Sequence, residues 1–283
     1  MEGRTGAGGW HERWRWFRRA TGWMLVLLCS AGPLAAQKDY YNTDRNRPVR
    51  IEDAYPTERY ALELKVAPLR LERESGGLYH WELEPEVAYG ILPRTSLELG
   101  VPIAFLDAGD ADDRTSGVAG LHLSAFHNLN IETRTLPALG VRADLSLPVG
   151  SLGGNHTYGA LTGIATRTFT WARVHVNGQY TVGPTSDADA GSGAAGSRWL
   201  AGVAADRSFP LDALLLIGEV YARRPLADGA DLDWHAAGGI RYQLNPYLAL
   251  DAGLGTRLNG SGQWYVTLGT ASHVGIRALM PPR

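Results

Sequence analysis

The chain has 283 residues, 27 of them basic and 29 acidic, with 45% hydrophobic residues, 35 glycines and a single cysteine. A formal net charge of −2 offers no basic face for a nucleic-acid partner. The lone Cys29 falls within an N-terminal export signal, so the mature chain is expected to hold neither a disulfide nor a thiolate metal site.

Residues 1–36 read as a secretory signal peptide. Arg13, Arg15, Arg18 and Arg19 form a basic start, Trp23–Leu28 is an apolar run, and small residues lead to Ala36 before Gln37. The apolar run is too short to span a bilayer, and no later stretch supplies a spanning helix. Arg18-Arg19 is followed by ATGW, which is not the twin-arginine pattern, and Leu28 before Cys29 speaks against a lipoprotein anchor. The signal carries five arginines against Glu2 and Glu12, so its removal leaves 22 basic and 27 acidic residues. Residues 37–57 are polar, with Asn42, Asp44 and Asn46, and are expected to form an irregular N-terminal arm on the periplasmic side.

From residue 58 to 277 the chain alternates apolar and polar residues in segments of about ten, the period of a strand with two unlike faces. Leu139, Val141, Ala143, Leu145 and Leu147 share one face, and Arg142, Asp144 and Ser146 the other. Before it lie segments at about 58–72, where Pro68 marks a bulge, 78–91, 97–105 and 117–128. After it come 157–169, 171–183, 198–208, 213–223, 232–243, 247–257 and 264–276, followed by a tail over 278–283. The total is about twelve. Connections after the odd segments are long or flexible, as in DAGDADDRTS, and those after the even ones are mostly short, as in LPRT, with 130–137 the exception. Aromatics such as Phe105, Phe169, Trp171, Trp199, Trp234 and Tyr247 cluster at segment ends, where an interfacial girdle would need them. The pattern predicts an all-β fold, a transmembrane antiparallel β-barrel of about twelve strands with both termini periplasmic. A soluble sandwich would need a second sheet to cover the outward Val and Leu residues.

Several blocks carry a resemblance: SGVAGLHLSAFHNL, LPALGVRADLSLPVG, RVHVNGQYTVG, LLLIGEVYA, GGIRYQLNPYLALDAGLG and VTLGTASHVGI. Their order resembles the outer-membrane barrel "transporter" family named for the meta-pathway of phenol degradation, over about residues 85–277. The resemblance implies a barrel of this size and a route for small hydrophobic or aromatic molecules. Two departures stand out: Leu121 follows Gly120 where the family commonly has an acidic residue, and ALMPPR closes the chain without a terminal aromatic.

The inward candidates for the lumen or permeation path are Arg142, Asp144, Arg173, His175, Asn177, Glu219, Arg223, Asp233, His235, Arg241 and Asp251. They admit two readings, a charged constriction that selects a permeant and a network of ion pairs that fills a narrow barrel. Arg173 and Arg241 are the expected partners of Glu219. His122 with Ser124, and His175 with Asn177, share strand faces as a lipid hydrolase would need, but no nucleophile motif surrounds Ser124, and no catalytic residue is assigned. The histidines show no metal-ligand spacing, and DAGDADD lacks the closing Glu of a calcium loop, so neither metal nor cofactor is expected. The expected partners are outer-membrane lipid, the machinery that assembles such barrels and a small-molecule permeant. The leading expectation is a non-enzymatic outer-membrane channel or facilitator; the alternative is a closed structural or binding barrel with a charged, plugged lumen.

Overall fold

The computed structural model describes residues 42–73, 78–107, 114–185, 196–260 and 262–275. The expected signal peptide, most of DAGDADD, most of the 184–197 loop and the 278–283 tail lie outside the described residues.

Alternation folds the chain into antiparallel strands, because each segment has one face suited to lipid and one to a polar interior. The strands are β1 Ala61–Arg73, β2 Tyr79–Leu92, β3 Thr95–Gly100, β4 Ile103–Asp107, β5 Arg114–Val118, β6 Leu121–Asn130 and β7 Ala138–Leu147. They continue as β8 Tyr158–Thr168, β9 Arg173–Val182, β10 Ser197–Ser208, β11 Leu214–Pro225, β12 Asp233–Asn245, β13 Leu248–Arg257 and β14 Trp264–Gly275. β3 and β4 form one stave broken at Val101-Pro102, and β5 and β6 another broken at Ala119-Gly120. Both halves of the first broken stave pair with β2, and they pair in turn with β6 and β5. The ring closes because β1 pairs with β2 on one edge and β14 on the other. The result is a closed antiparallel barrel of twelve staves, as the alternation predicts.

The breaks have a covalent cause. Pro102 has no N–H to give to the ladder, and Gly120 takes a positive φ of 144°. They lie side by side, with Ala119 N donating to Pro102 O at 2.8 Å and Val101 N to Pro85 O at 3.1 Å. The pairing of β1 with β2 shifts register between Val66 and Leu69, the bulge expected at Pro68.

The outer wall is apolar. Leu97, Leu99, Leu123, Leu145, Val176, Val220, Ile240 and Leu268 are all exposed on it. Trp171 stacks on Phe169 with centroids 5.7 Å apart at the end that carries the short turns, and Trp81, Phe105 and Trp234 lie exposed toward the opposite end. The barrel has no conventional core between layers. Its buried residues face the lumen, and the lumen is filled by the chain's own residues 42–57.

Candidate functional site

The interior is built around this N-terminal segment. It is irregular, as expected, but it runs inside the ring and touches most of the wall rather than standing apart as an arm. Ile51 N and Arg50 N both donate to Glu219 Oε2 on β11, at 2.7 and 2.8 Å. Asn177 on β9 holds Glu52 at both ends of its amide: Oδ1 accepts from Glu52 N and Nδ2 donates to Glu52 O, each at 2.9 Å. Ala54 N donates to Thr166 Oγ1 on β8 at 3.0 Å, and Asn128 Nδ2 on β6 donates to Ala54 O at 2.7 Å. Thr267 Oγ1 on β14 donates to Pro48 O at 2.9 Å. The buried peptide groups of an irregular segment need such partners.

Ion pairs reinforce this docking. Arg47, 1% exposed, donates from Nη2 to Asp251 Oδ2 at 2.5 Å. Arg241 donates to the other oxygen of Asp251 at 2.5 Å, to Asp44 at 3.2 Å, to Arg47 O at 3.0 Å and to Asn42 O. Arg142 joins Glu52, Glu98 and Asp144 at 3.2, 2.8 and 2.9 Å, and Arg45 reaches Asp144 at 3.0 Å. Arg173 grips Asp206 with two nitrogens at 3.0 and 2.8 Å and lies 3.7 Å from Asp53. His175 bridges Asp206 and Thr166, 3.0 Å from each. Burial pushes the Glu52 carboxyl up to about 7, against the opposing pull of Arg142 and Arg45. Burial raises Asp53 in the same sense.

The sequence candidates divide in two. Arg142, Asp144, Arg173, Asn177, Glu219, Arg241 and Asp251 bind the segment directly, and His175 supports it through Thr166. Arg223, Asp233 and His235 sit nearer the long loops: Asp233 pairs with Arg257 at 2.6 Å and with Arg223 at 3.6 Å, and His235 stacks on Tyr221. Glu219 pairs with neither Arg173 nor Arg241. Those arginines are held by Asp206 and Asp251, and Glu219 instead receives two backbone N–H groups. The hydrolase pairs are engaged elsewhere. Ser124 Oγ donates to Asp144 at 2.7 Å, and His122 Nδ1 lies 2.5 Å from Glu84. Among the described residues no group of three or more His, Cys, Asp or Glu is placed to hold a metal ion.

No protein-family profile and no curated protein matches the chain. Solved structures do. The KdgM porin in complex with disordered oligogalacturonate is 11% identical, with 75% of this chain and 98% of that one covered, at a TM-score of 0.50. The COG4313 outer membrane channel from Pseudomonas putida F1 is 16% identical, with coverages of 76% and 94% and a TM-score of 0.49. The outer membrane phospholipase A from Escherichia coli is 12% identical, with coverages of 77% and 94% and a TM-score of 0.40. The fold is the outer-membrane β-barrel. At these identities the likeness speaks for fold alone.

Sequence reasoning missed the residues that the segment itself brings, namely Arg45, Arg47, Arg50, Glu52 and Asp53, and wall residues such as Lys65, Glu98, Thr166 and Asp206. It also missed an apolar patch in the lumen, where Val49 and Ile51 pack against Leu200, Ala204, Ile217 and Tyr221. One signal was available. Gly202, Gly239 and Gly253 occupy inward positions, and a Cβ there would lie 2.7 Å from the Ile51 side chain, 2.6 Å from the Pro48 ring and 2.6 Å from Pro48 O. Inward glycines in a barrel wall mark the close approach of another backbone.

Proposed function

We propose that this protein is an outer-membrane channel or facilitator for small hydrophobic or aromatic molecules, with a lumen occupied at rest by its own N-terminal segment. One observation carries the reading. The ring is wide enough to admit an irregular polypeptide with its side chains, whereas a barrel built only for rigidity fills with the side chains of its strands. A lumen that accepts a peptide has the cross-section to accept a small aromatic molecule. The apolar outer wall and aromatic ends support an outer-membrane location. The resemblance of the sequence blocks to the phenol meta-pathway barrel family supports the substrate class.

The second reading is a closed structural barrel, favoured by the density of ion pairs that fix residues 42–54. Single-channel recording in a planar bilayer separates the two. The mature chain should show a small conductance, and a variant lacking residues 42–56 a conductance several-fold larger. A deletion variant that inserts yet stays closed would discard the channel and leave the structural barrel.

A further inference from the structure

The docked segment does not fill the lumen evenly. Hydrogen bonds and ion pairs tie residues 42–54 to β6–β9 and β11–β14. On that side the Arg47, Arg241, Asp206 and Asp251 side chains are no more than 2% exposed. The inner face of β2 is wetter. The side chains of His80, Glu82 and Glu86 are 20%, 13% and 15% exposed, and that of His122 on β6 is 13% exposed. Water in the lumen therefore meets β2 rather than the docked side.

This wetted face is acidic. The strand period sets Glu82, Glu84 and Glu86 on one side of β2, about 7 Å apart along the strand. Glu98 stands beside them on β3, and the nearby bases are shared. Lys65 Nζ lies 3.3 Å from Glu86, 3.7 Å from Asp44 and 3.8 Å from Glu98. Arg142 is divided among Glu52, Glu98 and Asp144, and Arg45 also reaches Asp144. Arg70, opposite Glu82 on β1, is taken by Glu72 at 3.0 Å. Glu52, Glu72, Asp144 and the four glutamates of β2 and β3 thus face Arg45, Lys65, Arg70 and Arg142, an excess of three negative charges when the carboxylates are ionised and the histidines neutral. His80 and His122 stand 3.6 and 2.5 Å from Glu82 and Glu84. Glu52, 3% exposed, also leaves Oε1 buried without a hydrogen-bond partner, and a buried carboxylate oxygen in that state favours a nearby positive charge.

We propose that the β2 face is the selectivity path of the lumen and passes small cations in preference to anions. Among the described residues no three acids converge as a metal chelate requires, so these carboxylates act as a field spread along the wall. Fixed negative charge along a narrow aqueous path lowers the energy of a cation throughout and raises that of an anion. The docked segment does not cancel the field, because Asp44, Glu52 and Asp53 offset Arg45, Arg47 and Arg50 within it. The proposal rests on the channel reading and narrows its permeant to one without net negative charge.

The test is the reversal potential of the full mature chain in a planar bilayer, under an about tenfold KCl gradient at about pH 8, where free imidazole is neutral and carboxylates are ionised. Potassium should be favoured over chloride by at least about threefold. The double substitution Glu82→Gln and Glu86→Gln removes two charges from the wetted face and should bring that ratio toward unity, with thermal unfolding confirming that the variant is folded. A ratio at or below unity in the unaltered protein overturns the proposal and keeps the channel reading, since ions still pass. An unaltered ratio in the folded double variant overturns the assignment of selectivity to β2. Inserted protein that passes no current removes the channel reading, and the proposal falls with it.

Discussion

At the scale of single residues, two carboxylates govern how the N-terminal segment is held. Glu219 Oε2 accepts the N–H groups of Arg50 and Ile51 from a fixed position on β11. Hydrogen bonds to a charged acceptor contribute about 1.5–3 kcal/mol each, and stranding buried donors costs more than removing both partners would. Glu219→Ala should therefore lower stability by about 2–4 kcal/mol, read as a fall in thermal midpoint; an unchanged midpoint would mean that the clamp contributes nothing. Glu52 adds a dependence on pH. Its carboxyl titrates at about 7 when docked, because burial outweighs the attraction of Arg142 and Arg45, against an ordinary value of 4.5. Glu98 on β3 and Asp144 on β7 also face it and push in the same direction as burial. The docked state thus binds a proton that the free segment releases between about 4.5 and 7. Docking should weaken as pH rises through that window, by at most about tenfold per pH unit, and level off above it. Asp53, raised by burial, adds to the trend. Protease sensitivity of residues 42–57 measured from pH 5 to 8 should rise with pH; a flat profile or the reverse slope would refute it.

At the scale of elements, the strand phase read from alternation agrees with the structure along β7. Leu145 is 39% exposed on the outer wall, and Ser146 beside it faces inward opposite His122 and Tyr158. A charge facing lipid near the midplane costs about 2–4 kcal/mol. Leu145→Arg should therefore destabilise the barrel in bilayers by about that amount, while Ser146→Arg should cost less because the lumen offers Glu84 and Asp144 as partners. Denaturant titration of both variants in liposomes checks the phase, and equal losses would contradict it. Where alternation is interrupted, the sequence also states the cause. Pro102 and Gly120 split two staves, and Pro68 marks the bulge in β1.

At the scale of the whole molecule, wall and contents are separable. The main-chain ladder that closes the ring runs between Ala61 and Gly275, and among the described residues the bridge nearest the segment, Arg59 to Gly90, lies past residue 57. The charges on the inner wall, by contrast, are matched to the segment: Asp251 to Arg47, Arg142 to Glu52, Arg173 to Asp53. Removing residues 42–56 should leave a closed barrel that still migrates as a compact species in unheated detergent gels. Its thermal stability should be lower, because several wall charges lose their counterions while the ladder stays intact. A deletion variant that fails to form the compact species would show that the segment is needed for closure itself.

The sequence by itself determined the wall. Alternation with period two, short turns set against long connections, and proline or glycine at the interruptions are local properties, and each follows from backbone geometry acting over a few residues. It also placed Arg142, Glu219, Arg241 and the other candidates on the inner face, since a charge on the lipid face is too costly. What fills the lumen was decided only by tertiary structure. Residues 42–57 have no period, so nothing local distinguishes a segment that hangs free from one that docks. Many of their partners lie far along the chain, 90 positions for Glu52 with Arg142 and 204 for Arg47 with Asp251. Alternation assigns a residue to a face, but which charges meet across that face depends on the closure and register of the whole ring. That is why Glu219 reads in sequence as the partner of an arginine and in the structure holds the backbone of Arg50 and Ile51.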